Sequence, residues 1–98
     1  MEFKTLININ SELRGLVAEI KKYFSLDIDS GLIEKIVQDS ETDQVTEKNY
    51  KIFEAKSQPT ILATVDEYEP ETIWIEIKNI KDKDVKHFND FTGTTMGH

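Results

Sequence analysis

Seven residues, Thr72 to Lys78, alternate without a break: Ile73, Ile75 and Ile77 on one parity, Thr72, Trp74, Glu76 and Lys78 on the other. Successive side chains leave a strand on opposite faces, so this stretch commits the chain to a β-sheet with one apolar face and puts Trp74 on the less buried side. Two preceding runs, Tyr50 to Ala55 and Thr60 to Glu67, are rich in β-branched and aromatic residues and carry the same period. In the first, Phe53 and Ala55 read as inward. In the second, Ile61, Ala63 and Val65 compete with the opposite parity, Leu62 and Thr64. Lys56-Ser57-Gln58-Pro59 and Tyr68-Glu69-Pro70-Glu71 separate the runs, and proline cannot donate to a ladder. Three strands on such short links make an antiparallel meander.

Upstream, Glu2 to Ile9 alternates weakly and reads as a strand, although Leu6, Ile9, Leu13 and Leu16 also fit a helix that begins early. Leu13, Leu16, Val17, Ile20 and Phe24 recur at helical spacing, which predicts a helix over Ser11 to Phe24 capped by Asn10 or Ser11. Gly15 within it points either to close packing or to nothing at all. A second helix, about Gly31 to Asp39, has Asp29 or Ser30 as its cap and Leu32, Ile33, Ile36 and Val37 as its apolar positions. Residues 38–44 read as an exposed loop. Asp82 is the expected cap of a third helix carrying Val85, Phe88 and Phe91, and 92–98 as a loose tail. The expected fold class is α+β: an antiparallel sheet of three or four strands with two or three helices packed on one face, in a single domain of 98 residues.

Composition narrows the chemistry. With no cysteine, disulfide scaffolds, thiol catalysis and cysteine-ligated metal sites are excluded, and a reducing cytosol is compatible. Met1-Glu2-Phe3-Lys4 is not a basic patch followed by an apolar run, and no stretch reaches the length of a membrane span. The net charge is −7, and from Asp39 to Glu76 ten acids face three lysines, leaving nine acids and nine bases elsewhere. The whole excess therefore sits in the sheet half, a field that repels nucleic acid and favours a basic partner, although an acidic surface also serves solubility alone. Lys78, Lys81, Lys83 and Lys86 form a short basic strip, but Asp82 and Asp84 interrupt it. Neither GxxxxGK nor GxGxxG occurs.

Asp27-Ile28-Asp29-Ser30-Gly31 imitates the start of a calcium loop. The imitation ends there, because the position that needs glycine is Leu32 and the one that needs a bidentate glutamate is Gln38. Asp84 and Asp90 lie three residues either side of His87, within pairing reach on a helix, but a solvent-exposed helix histidine is the plainer expectation. The crowded acids Asp66, Glu67, Glu69 and Glu71, with Tyr68 among them and Trp74 beyond, suit either a solvated hairpin or a protein-binding edge where carboxylates steer and aromatics anchor.

The acidic loop Asp39 to Asp43 and the acidic aromatic turn Asp66 to Trp74 resemble, at class level, the small acidic cytosolic immunity proteins of bacterial toxin systems, including those of contact-dependent growth inhibition. The resemblance implies a stoichiometric, non-catalytic inhibitor that occludes the active site of a basic toxin domain, often a nuclease. The residues it implies for partner binding are Asp39, Glu41, Asp43, Asp66, Glu67, Tyr68, Glu69, Glu71, Trp74 and Glu76, without metal or cofactor. It also implies a cytoplasmic location with neither nucleic acid nor membrane as partner, while an open edge strand leaves room for a second copy. A phage antidefence protein or nucleic-acid mimic such as an anti-CRISPR is the nearest alternative, favoured by a regular phosphate-like spacing of carboxylates where a compact patch around one anchor favours immunity. A small enzyme using His87 with Asp84 or Asp90 is the third.

Overall fold

In the computed structural model, which describes residues 1–41 and 49–93, the order is β1 (Glu2–Asn8), α1 (Leu13–Phe24), α2 (Ser30–Glu41), β2 (Asn49–Phe53), β3 (Thr60–Val65), β4 (Thr72–Lys78) and α3 (Asp82–Thr92). The strands form one antiparallel sheet in the order β1-β4-β3-β2, so the meander β2-β3-β4 is completed by the first strand of the chain. Residues 2–8 are thus a strand, and the helix begins only at Leu13. All three helices contribute to one apolar cluster with a single face of the sheet, giving an α+β molecule 18 Å thin along its shortest axis.

The alternation explains the layering. Phe3 and Ile7 of β1, Ile61, Ala63 and Val65 of β3, and Ile73, Ile75 and Ile77 of β4 are buried against Leu13, Leu16, Val17 and Ile20 of α1, Ile33, Ile36 and Val37 of α2 and Phe88 of α3. Of the two parities open to β3, the structure takes the one that extends the isoleucine row of β4. The other face carries Lys4, Leu6, Leu62, Thr64, Trp74 and Glu76, and no element among the described residues covers it.

Strand β2 departs from its expected parity. Tyr50 and Ile52 are buried, whereas Ala55 lies exposed beyond the end of the strand. A bulge between Lys51, opposite Leu62, and Phe53, opposite Ile61, inserts Ile52 as an extra residue and turns Phe53 only partly inward.

The helix ends also differ from simple capping. Glu12, not Asn10 or Ser11, precedes α1, and Asn8 Oδ1 instead accepts the amides of Asn10 and Ser11, both at 3.0 Å. Asp29 does cap α2, taking the Gly31 amide at 2.9 Å. Thr92 belongs to α3 rather than to a tail, and Gly93 closes that helix in the left-handed conformation; residues 94–98 lie outside the described residues. At Gly15 a β-carbon would meet nothing within 4 Å, so close packing is not the reason for the glycine.

Ile75 is fully buried at the centre of the sheet. Its replacement by alanine is expected to lower unfolding free energy by about 3 kcal/mol in urea titration, whereas Lys35→Ala on the exposed side of α2 changes it by less than about 0.5 kcal/mol.

Candidate interaction surface

The turn between β3 and β4 is tied down by its own main chain. Asp66 donates its amide to the Thr72 carbonyl at 3.0 Å, and Thr72 donates its amide and hydroxyl to the Glu69 carbonyl at 2.9 and 2.8 Å. The Asp66 carboxylate accepts the Glu69 amide at 3.2 Å, and the Glu71 carbonyl accepts the Ile9 amide at 2.8 Å. Asp66 is therefore half-buried and structural. Glu67, Tyr68, Glu69 and Glu71 are exposed around it, and Tyr68 has 86% of its surface open to solvent. That is unusual for a large aromatic side chain, which ordinarily buries much of its area.

Trp74 and Glu76 are half-buried on the open face, inside the sheet rather than on the turn. Trp74 lies between Leu6 of β1 and Thr64 of β3, and the Lys4 ammonium sits over its ring, 5.0 Å from the centroid. Glu76 has the Lys78 ammonium 3.9 Å away. Each is thus already attended by a cation of its own chain.

Asp39 and Glu41 occupy the last turn of α2, half-buried and exposed respectively, with no basic residue beside them in that turn. Carboxylates at a helix C-terminus oppose the helix dipole, by roughly 0.3–1 kcal/mol each. Arg14 grips Glu34 through two 2.7 Å hydrogen bonds, and this pairing, with a smaller contribution from Glu41, holds the guanidinium above its ordinary pKa and Glu34 below its own. Arg14 lies in the first turn of α1, a few residues beyond Asn8, which pairs with Thr72; Glu41 thus lies toward the acidic turn. Strand β2 begins at that end too, with Asn49 opposite Thr64. Asp43 lies outside the described residues. The opposite end, with Lys56, Lys78, Lys81 and Lys83 but also Glu2, Asp27 and Asp82, is mixed in sign.

His87 is neither exposed nor paired with Asp84 or Asp90. Its Nε2 donates to the Glu19 carboxylate at 2.7 Å, and its ring stacks on Tyr23 at 4.1 Å between centroids. Asp84 is buried and serves α3 and α1: it accepts the Lys81 amide at 3.0 Å and the Tyr23 hydroxyl at 2.8 Å. The first turn of α3 is therefore held by Asp84 three residues in, not by Asp82. Burial alone would raise the Asp84 carboxyl; the Lys81 amide, the Tyr23 hydroxyl and the charges of Lys83 and Lys81 outweigh it and leave the group below its ordinary value. Its hydrogen bond to Asp84, with burial and the Asp84 charge, lifts the Tyr23 hydroxyl above its own. The local signal was the spacing Lys81-x-x-Asp84, a reversed half of a capping box. Glu19 and Tyr23 carried none, because their partners lie on another helix more than sixty residues along the chain.

Among the described residues no three histidines, aspartates or glutamates gather as a metal site, and no helix is long and apolar enough to cross a membrane. Compared with known protein families, curated proteins and solved structures, the chain matches none of them.

Asp84→Asn is expected to cost about 1.5–3 kcal/mol at neutral pH, since hydrogen bonds to a buried charge are lost. Because the native carboxyl titrates below its unfolded value, its contribution is complete above the ordinary carboxylate range near about 4 and disappears as pH falls through the depressed native value. Wild-type and variant stabilities, measured by chemical denaturation across pH 2 to 7 (about the range in which carboxyls titrate), should therefore converge at the acid end.

Proposed function

We propose that the chain is a stoichiometric protein inhibitor of the immunity-protein kind, which binds a basic toxin domain, a nuclease being the simplest case, and occludes its active site in the cytoplasm. The observation that carries this reading is Tyr68, 86% exposed on a turn whose backbone is fastened and whose glutamates Glu67, Glu69 and Glu71 are exposed. An exposed aromatic among acids on a fastened turn suits a cationic groove shaped for phosphates: Tyr68 fills a cavity while Glu67, Glu69 and Glu71 meet lysine and arginine. Among the described residues Glu67, Glu69 and Glu71 are exposed within three positions of Tyr68, which favours a patch around one anchor over nucleic-acid mimicry. Asp39 and Glu41 lie toward the same end and extend the contact; Trp74 and Glu76, already attended by lysines on the open sheet face, form its border.

The test is binding of the purified chain to basic proteins from its own host, read against salt. Wild type should retain one basic partner tightly, with affinity falling as salt rises. Tyr68→Ala combined with Glu67→Lys and Glu69→Lys should reduce that affinity at least a hundredfold while leaving thermal unfolding unchanged, because all three side chains are exposed. Retention of the same proteins by wild type and variant alike would sink the proposal.

A further inference from the structure

The free edge of the sheet next to β1 has a different character from the acidic turn. The amide of Ile9 donates to the carbonyl of Glu71, and the register from Asn8–Thr72 to Glu2–Lys78 continues that pairing down the strand. In an antiparallel ladder alternate residues face the partner strand, so odd-numbered residues of β1 bond to β4 and the main-chain groups of Glu2, Lys4, Leu6 and Asn8 point away from the sheet. Those of Asn8 are taken by Glu12, whose carboxylate accepts the Asn8 amide at 2.9 Å and whose amide donates to the Asn8 carbonyl at 3.0 Å. Those of Lys4 and Leu6 remain on the rim, and β1 is the outermost strand on that side.

Beside this rim lies a cleft of about 320 Å³, as polar as it is apolar, lined by Leu6 of β1, by Ser11, Glu12 and Gly15 at the start of α1 and by Phe91 and Thr92 of α3. Phe91, 48% exposed, stands on the helix side of the cleft, whereas Leu6, 40% exposed, borders it from the rim of the open sheet face. Gly15 leaves the helix wall flat, with nothing within 4 Å of where a side chain would start. Unpaired edge groups next to a slot between strand and helix are what an added extended segment requires: the edge takes its main chain and the slot takes every second side chain.

We infer that β1 accepts an extended segment of a partner protein as a fifth strand, with an apolar side chain in the cleft and a lysine or arginine directed at Glu12. The basic residue follows from charge. Glu12 lines the cleft, and the bond from Ile9 to Glu71 brings the acidic turn near it. This charge requirement rests on the function proposed above; the strand addition does not.

The probe is a set of heptapeptides of alternating threonine and valine around a central leucine, with lysine at both ends, titrated into the isotopically labelled chain. Shift changes should concentrate at Lys4 to Ile7, Gly15 and Phe91, and amide exchange at Lys4 and Leu6 should slow more than tenfold. Gly15→Leu, which fills the cleft, should weaken binding at least tenfold, as should N-methylation of alternate peptide residues, which removes main-chain donors without touching side chains. Strand addition is overturned if no peptide binds, if the N-methylated peptide binds as well, if the shifts centre on Trp74, or if Leu6 becomes protected with protein concentration alone, the mark of a second copy. If a serine-ended peptide binds the same edge equally well, strand addition stands and the basic-partner reading falls.

Discussion

The row Ile73, Ile75, Ile77 is the constraint on which the molecule depends. Strand β4 is hydrogen-bonded on both sides, to β1 from the start of the chain and to β3 just before it, and its three isoleucines are completely buried. A slip of one residue would turn all three to solvent and Trp74, Glu76 and Lys78 into the core, a penalty of several kcal/mol that locks the register. Once β4 is fixed, the parity of β3 follows from its short connection, and Phe3 and Ile7 of β1 are drawn to the same face. The helices then have one surface to cover. Around Phe88, fully buried, the rings of Phe3, Tyr23 and Phe24 gather within 5.7 Å and bring α1, α3 and β1 together.

That arrangement separates two kinds of surface. One end of the sheet carries the acidic turn, whose carboxylates stand clear of the core because the strand alternation has ended at Val65 and resumes only at Thr72. The other features toward that end, the last turn of α2 and the first turn of α1, add Glu41 and Glu12 and only Arg14 in compensation. Across the sheet, in contrast, charges are interleaved: Lys4 covers Trp74 and Lys78 approaches Glu76. The first pattern leaves like charges side by side. The second neutralises itself.

What could be read from the sequence was what depends on period and on near neighbours. The strands of the meander, the burial of the β4 isoleucines, the outward position of Trp74 and the stripe of α1 all follow from spacing over a few residues. The parity of β2 did not, because Tyr50 is set inward by its pairing with Ala63, and the bulge that then brings Phe53 opposite Ile61 is revealed only by the partner strand. The surroundings of His87 did not either. Its near neighbours Asp84 and Asp90 were plausible partners, but Tyr23 and the Lys81 amide claim Asp84, and Glu19, packed across from α1, takes the imidazole. The acids of the turn were legible as a cluster; that Asp66 would be spent on the backbone while Tyr68 stood outside was not, since a turn's hydrogen bonds depend on dihedral angles that composition does not specify.

The account turns on the acidic turn being a preformed surface, held by the bonds of Asp66 and Thr72, and not a loose connection. Backbone amide order parameters for Glu67, Tyr68 and Glu69 in the free protein test this directly. Values near those of the strands, about 0.85, are what a fastened turn gives; values below about 0.6 would mean that Tyr68 and its carboxylates sample many positions, and would contradict the account.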